Sequence, residues 1–253
     1  MTAIVDRTTF AEALDEARLA AYPPGQYVGQ ESFMTAGEIR GLAERSEISH
    51  HDRVLDLCCG AAGPGRLVAA ETGCDYLGED EDPTAIAAAR QAVAGQRCRF
   101  EVRRVPPLPP GEVDVVLLLE TLLAFSDKQP LVAAVAERLR PGGRFALTVE
   151  EGPPLTRSER GLMPAADTVW PIPLPELLAL LEAHGFTVRS VEEHTRAHRA
   201  IAAALAEAFE QHRPRIAALI GDRRIDELIT AHRCWVRWLD TGRMKKFSLV
   251  AVR

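Results

Sequence analysis

The sequence lacks what would place it in a bilayer, in an oxidising compartment or on a nucleic acid. No apolar run approaches the roughly 20 residues that a membrane span requires. The first twenty residues, MTAIVDRTTFAEALDEARLA, carry acids and no continuous apolar stretch, so they do not read as a secretory signal. The five cysteines are odd in number and form no C-x-x-C pair. That usage suggests neither a zinc site nor a disulfide framework, predicts no bound metal, and suits a reducing cytoplasm. Basic residues are scattered: Arg103–Arg104, Arg223–Arg224 and Lys245–Lys246 are only pairs, and the net charge is -6. Nucleic acid is therefore a disfavoured partner. The 253 residues, 47% hydrophobic and 26% charged, suffice for one large α/β domain or one domain with a cap.

The most informative stretch is RVLDLCCGAAGPGRLVA, from Arg53 to Ala69. An apolar strand carries an acid, Asp56, near its end. A turn of small residues follows (Cys58, Cys59, Gly60, Ala61, Ala62, Gly63), and a helical pattern then begins. A strand–turn–helix without bulky side chains lets a ligand lie against bare backbone N–H groups, and the helix N-terminus adds partial positive charge. A second strand, Tyr76 to Gly78, runs into Glu79, Asp80, Glu81 and Asp82. An acid at the tip of the second strand is where the hydroxyls of a nucleoside ribose are gripped. Together these features predict an adenosine-type cofactor, with Glu79 and Asp82 as solvated neighbours of the useful acid.

From Val54 strands and helices alternate. Strands are expected at 54–57, 76–78, 98–102, 113–119 and 145–150, with 140–144 (RPGGR) as a turn and helices at 65–72, 84–93 and 130–139. The continuous apolar run at 113–119 marks a central strand buried on both faces. Right-handed crossovers then give a doubly wound parallel sheet. Upstream, Thr8 to Ala20 reads as an amphipathic helix with Phe10, Leu14, Ala17 and Leu19 near one face. Thr35 and Glu38 form a capping box for a helix over 35–46, and the loop between, 22–34, suits a segment folded over a site. Downstream come a proline-rich excursion at 152–175, a helix at 174–184 ended by Gly185, a strand at 186–193, long helices at 196–211 and 215–239, and a closing strand at 246–253. This organisation divides into an N-terminal helical cap or lid (1–46), a cofactor-binding core (47–195), and a helical cap insertion with the final strand (196–253).

These motifs resemble those of class I S-adenosylmethionine-dependent methyltransferases. VLDLCCGAAGPGRLVA is similar to the cofactor loop of the small-molecule branch, which includes the tocopherol, geranyl diphosphate and glycine-betaine-type enzymes. YLGEDEDPTAIAAAR, ERLRPGGRFALT and LLEAHGFTVRSVEEHT resemble the family's second motif, its turn into strand five and its strand six. The resemblance implies a Rossmann-like seven-stranded sheet with an antiparallel last strand and an α-helical cap. It also implies S-adenosyl-L-methionine as cofactor. Asp56 would lie near the cofactor's amino-acid end, with Cys58, Gly60 and their neighbours under its methionine and ribose. Asp80 would bond the ribose hydroxyls, Glu81 and Val105 would flank the adenine, Glu120 would sit beside the methionine, and Tyr27 would close over the site. Cys58 and Ala62 replace family glycines, which makes a positive φ at either harder. Arg104 stands where an acid often meets the adenine amine, and Leu122, Leu123 and Ala124 stand where a histidine is frequent.

The acceptor is expected to be a small molecule, handled in specialised metabolism, by a protein compatible with a homodimer. No residue declares itself as a general base, which favours an amine or an activated carbon over a hydroxyl as nucleophile. Glu31, Glu120, Glu150 and Glu151 could orient an amine, with Tyr27 or the tryptophans giving cation–π contact. Glu31, Glu150 and His232 are the catalytic candidates. His232 reads either as a base or as a surface or capping residue. Trp170, Trp235 and Trp238 are candidate substrate walls, although the spacing of Trp235 and Trp238 equally suits core packing. Two other classes stay open: a nicotinamide-dependent oxidoreductase, and a descendant that keeps the cofactor without transferring methyl, as a cyclase or a binding module.

Overall fold

The computed structural model describes residues 7–93 and 97–253, with side chains from residue 14 onward. The chain begins with α1 (Arg7–Ala21) and α2 (Ala36–Arg45). Alternating elements follow: β1 (Arg53–Leu57), α3 (Gly63–Thr72), β2 (Asp75–Asp80), α4 (Pro83–Gln91), β3 (Cys98–Val102), β4 (Val113–Leu118), α5 (Gln129–Arg138) and β5 (Leu139–Glu151). The remainder is α6 (Arg157–Leu162), α7 (Leu174–Ala183), β6 (Thr187–Glu193), α8 (Thr195–Gln211), α9 (Arg213–Ile220), α10 (Asp222–Asp240) and β7 (Lys245–Val252). The seven strands form one sheet in the order β3-β2-β1-β4-β5-β7-β6. β7 is antiparallel to both its neighbours and the other pairings are parallel, as the resemblance implied.

Strand alternation sorts side chains onto two faces. Leu55, Leu57, Val116, Leu118, Phe145, Leu147, Leu249 and Ala251 join α5 and α7 in one apolar layer. Val54, Tyr76, Val115, Leu117, Ala146 and Val250 join α2, α3 and α4 in the other. A third apolar cluster gathers α1, α8, α9 and α10 with Phe33, Leu155, Met163 and Met244. On the second face, alternation carries Asp56 on β1, Thr148 and Glu150 on β5, and Lys246 and Ser248 on β7. All five are at most 3% exposed. A polar stripe thus runs through an otherwise apolar layer.

The expected elements recur with local corrections. Residues 140–143 lie within β5 rather than forming a free turn. Gly142 N–H donates to Arg253 O and Arg253 N–H to Gly143 O, so β7 pairs with the turn, while the β4–β5 register slips between Val113 and Val115. The single late helix is two helices, because Gly221 takes φ 87° and ψ 149°. Leu14 and Ala17 are fully buried, but Leu19 is 62% exposed, one turn-position too far round the helix. Phe10 lies outside the described side chains. Glu79 is fully buried, not solvated, and pairs with Arg103 Nε at 2.9 Å. Asp82 caps α4 by accepting Thr84 N–H. The capping box of α2 is present, with Thr35 Oγ1 accepting Glu38 N–H and Glu38 accepting Thr35 N–H.

The loop between α1 and α2 is seated on the start of α3. Buried Gln30 braces it, accepting Val28 N–H at 2.6 Å and donating to Gln26 O at 3.0 Å and Met34 O at 2.7 Å. A Cβ on Gly63 would meet Val28 O at 2.4 Å and Gly29 C at 2.7 Å. Neither backbone can step aside, so Gly63→Ala should push this loop off α3. Overpacking of that kind costs about 2 kcal/mol, which lowers the melting midpoint of a chain this size by about 6 °C. A thermal melt checks this, and an unchanged midpoint would refute the contact.

Candidate functional site

The loop after β1 is built from backbone conformations that side chains resist. Cys58 (φ 57°), Gly60 (φ 55°) and Ala62 (φ 58°) all lie in the left-handed region. Only one of them is glycine, so Cys58 and Ala62 take the positive φ that is harder for a residue with a Cβ. Each costs of order 1 kcal/mol against a glycine there. Glu120, two residues past β4 on the same sheet edge, also takes a positive φ, 57°. Its N–H is held by Thr148 Oγ1 at 2.5 Å. Strained residues cluster at functional sites because the surrounding fold must over-determine them.

Between the tips of β1, β2 and β4 lies a cleft of about 510 Å³. Cys58, Asp80, Glu81, Arg103, Val105 and Thr121 are among its lining residues. Asp80 accepts Gly60 N–H at 2.9 Å and Asp82 N–H at 2.9 Å, one on each carboxylate oxygen. A carboxylate oxygen has two lone pairs and can accept more than one hydrogen bond. No heavy atom stands within 4 Å of where a Cβ on Gly60 would project, so the loop offers bare backbone to a ligand there. Glu81 is exposed and 3.6 Å from Arg104. The cleft volume, the acid at the strand tip and the open glycine fit a nucleoside cofactor.

Asp56 is placed under this loop, not in the cleft. It is 3% exposed and accepts the Tyr76 hydroxyl at 2.5 Å. A Cβ on Gly65 would meet the Tyr76 hydroxyl oxygen at 1.9 Å and Asp56 Oδ2 at 2.6 Å, so the pair sits directly against α3. Burial pushes the Asp56 carboxyl up to about 7, against the opposing pull of the tyrosine hydrogen bond. The Cys58 thiol is likewise pushed up by burial, to about 12, and Cys59 further still. Both are therefore thiols, not thiolates, at neutral pH, as small fillers would be.

Where β4, β5 and β7 end, a charged cluster is buried. The Lys246 ammonium donates to Glu120 Oε2 at 2.6 Å and to Glu150 Oε1. It also lies 5.3 Å from the Phe33 ring centroid and 5.4 Å from that of Trp235. α2 and α8 close the cluster. Glu38 faces His198 Nε2 at 3.2 Å and His194 Nδ1 at 3.3 Å, and His194 Nε2 meets Ser248 Oγ at 2.8 Å. A carboxylate only accepts, so His198 Nε2 carries the proton facing Glu38. When neutral, its Nδ1 presents a lone pair towards Glu120 Oε1, 3.9 Å away. Among the described residues both of these buried atoms lack a hydrogen-bond partner.

Burial drives the carboxyls of this cluster up, and their partners decide which stay ionised. Glu120 is held below its ordinary value because Lys246 and His198 outweigh burial. Glu150 is raised, since burial and the nearby Glu120 charge outweigh Lys246. Glu38 is held well below the carboxylate range by hydrogen bonds from His194 and His198. Lys246 is raised by the two carboxylates against the effect of burial. The Lys246 ammonium is thus shared by two carboxyls, of which Glu120 ionises the more readily and Glu150 the less.

The other predicted residues are separated by the fold. Glu31 pairs with Arg18 at 3.0 Å and its side chain is 60% exposed, so it stands apart from the buried cluster. Tyr27 donates to Asp15 at 2.6 Å and packs 5.4 Å from Tyr22; it is absent from the residues lining the cleft. Trp170 lies under the Arg160 guanidinium, 4.1 Å from its ring, beside a separate surface cavity of about 400 Å³. Trp235 and Trp238 pack edge to face at 5.4 Å, and Phe33 contacts both Trp235 and His232. His232 donates from Nδ1 to Leu228 O at 2.7 Å, and burial holds its pKa below the usual value. It is thus a neutral imidazole in an aromatic wall.

Sequence reasoning missed Lys246, His198, Glu38's second role and Phe33. A signal existed for the histidines: His194 and His198 are four apart, in line with buried Ile201, Ala202 and Leu205 of α8. Polar rings on an apolar helical face need a buried partner.

Residues 54–143 match the family model described as a methyltransferase domain. An uncharacterized methyltransferase of Synechocystis sp., sll0829, is 31% identical over 156 residues, covering 57% of this chain and 71% of that protein. Phosphoethanolamine N-methyltransferase 3 of Arabidopsis thaliana is 26% identical over 125 residues, covering 47% of this chain and 26% of that protein. The cyclopropane synthase MmaA2 of Mycobacterium tuberculosis superposes with a TM-score of 0.82 over 97% of this chain and 94% of its own. At 14% identity that likeness concerns the fold.

The buried Asp56 has a measurable signature. Its folded pKa is raised above the unfolded value, so its contribution to stability is complete below about pH 4 and is lost as pH rises through about 7. Asp56→Asn keeps an acceptor for Tyr76 and removes the titration. Its stability relative to wild type should rise between pH 5 and pH 8 in urea denaturation; a difference independent of pH would refute the assignment.

Proposed function

This chain belongs to the S-adenosylmethionine-dependent methyltransferases, and on that premise we propose that it acts on a small molecule and how its residues serve methyl transfer. S-adenosylmethionine supplies an electrophilic methyl group on a sulfonium. Asp80 takes the ribose hydroxyls, the backbone at Gly60 lies beneath the sugar, and Glu81 and Val105 line the adenine end of the cleft. The neighbouring Glu120 marks the methionine end. The acceptor, a small molecule, lies beneath the cap of α1, α8, α9 and α10, against Phe33, Trp235 and Trp238. These rings exclude water and hold the acceptor in line with the methyl group, and orientation alone can contribute several kcal/mol.

The observation that carries this reading is the position of Glu120. It directly precedes Thr121 in the wall of the cleft, and its carboxylate enters the buried cluster under the cap. One residue therefore joins the donor site to the acceptor site. His198 is oriented by Glu38 with Nδ1 turned towards Glu120, and its neutral form is the group placed to take the proton of an acceptor that must lose one. The nicotinamide reading is set aside by the family match, because glycine loop and acid are shared by both folds but the matched domain is a methyltransferase.

Isothermal calorimetry with S-adenosylhomocysteine tests the donor site. Wild type should bind it and show no heat with NADH. Asp80→Ala should weaken binding by about 10- to 100-fold, the range expected for hydrogen bonds to a charged acceptor. Equal affinity in the variant would overturn the placement.

A further inference from the structure

Lys246 sits in a setting that protein surfaces use to recognise amines. Two carboxylates, Glu120 and Glu150, accept its N–H groups, and the faces of Phe33 and Trp235 lie 5.3 and 5.4 Å from its nitrogen. Carboxylates with aromatic faces are the chemistry that holds an ammonium ion. The side chain is 2% exposed. The antiparallel register places Glu150 opposite Lys246, so the two side chains start from neighbouring positions on one sheet face. Of the other acids, Glu31 is held by Arg18 and Glu38 by His194 and His198.

We propose that Lys246 is the chain's own occupant of an ammonium cage, and that by filling it the chain takes acceptors without a positive charge and turns amines away. The inference rests on the acceptor lying under the cap, as proposed above. It replaces the sequence-based preference for an amine. The carboxylates that would have steadied a substrate ammonium already accept from Lys246, so an ammonium entering this water-poor site would lose its hydration without gaining a carboxylate of its own. The acceptor class is then a carbon acid, an enol, a phenol or a carboxylic acid, bearing an apolar body that fits the aromatic wall.

The probe is n-propylammonium chloride, which carries the atoms from Cγ to Nζ. Lys246→Ala should melt several degrees below wild type. At 20 mM the probe should restore at least half of that loss, whereas sodium chloride and n-propanol should not. Wild type saturated with S-adenosylhomocysteine should show no binding of n-propylammonium or benzylammonium by calorimetry. With methyl-labelled donor and matched acceptors differing only in hydroxyl, carboxyl or amine, wild type should favour the uncharged and anionic members at least tenfold. A variant indifferent to the probe, millimolar or tighter binding of either amine by wild type, or amine turnover equal to the others would overturn the proposal. If Lys246→Ala does not fold, the wild-type calorimetry decides. Loss of S-adenosylhomocysteine binding by wild type would instead sink the donor site.

Discussion

A lysine ammonium buried between two carboxyls ties together the ends of three strands beneath the helical cap. Lys246, Glu120 and Glu150 come from the ends of three strands, and the cluster is sealed by Phe33 from the N-terminal loop and by histidines from α8. Taking such charges out of water costs several kcal/mol per ion, and the mutual attraction repays it only where geometry and further hydrogen bonds are good. Two oxygens and one imidazole nitrogen of this cluster are left unsatisfied. Well-packed apolar groups often replace a buried ion pair at no cost in stability, so burial of these charges is not by itself a source of stability.

The same logic holds at the donor end. Cys58, Ala62 and Glu120 adopt backbone conformations that side chains resist, and each is held by its surroundings. Ala62 N–H bonds Cys59 O and Glu120 N–H bonds Thr148. Beneath them the hydrogen-bonded Asp56–Tyr76 pair packs against Gly65 and fixes how closely α3 approaches the strands. The loop is thereby shaped before any ligand arrives, and the entropy of ordering it is met in folding rather than in binding. Donor and acceptor ends share one residue, Glu120.

Much of the core was legible because its determinants are local. The apolar run at β4, the small-residue turn after β1, the Thr35–Glu38 capping box and Gly185 after α7 each act within a few residues, and each appears where its pattern placed it. The errors have equally physical causes. Gly221 splits a helical pattern because glycine reaches a φ and ψ that end a helix at little cost. Residues 140–143 are drawn into β5 by Arg253, just past β7 and more than a hundred residues later in the chain, which bonds Gly142 and Gly143. Glu79 looked like one solvated acid among four, yet strand alternation turned it inward to meet Arg103.

The sequence by itself determined the alternation of strands and helices, the nucleoside-binding edge and the acid at position 80. These depend on periodicity, turn chemistry and the order of motifs along the chain. Only the tertiary structure decided what the other acids do. Whether a carboxylate is free to meet a substrate depends on which cation folding brings beside it. Glu150 and Lys246 are neighbours through a strand register set 96 residues apart, and Glu31 and Arg18 through the fold of a loop. Electrostatic partners are chosen by distance in space, and spacing along the chain does not encode that distance.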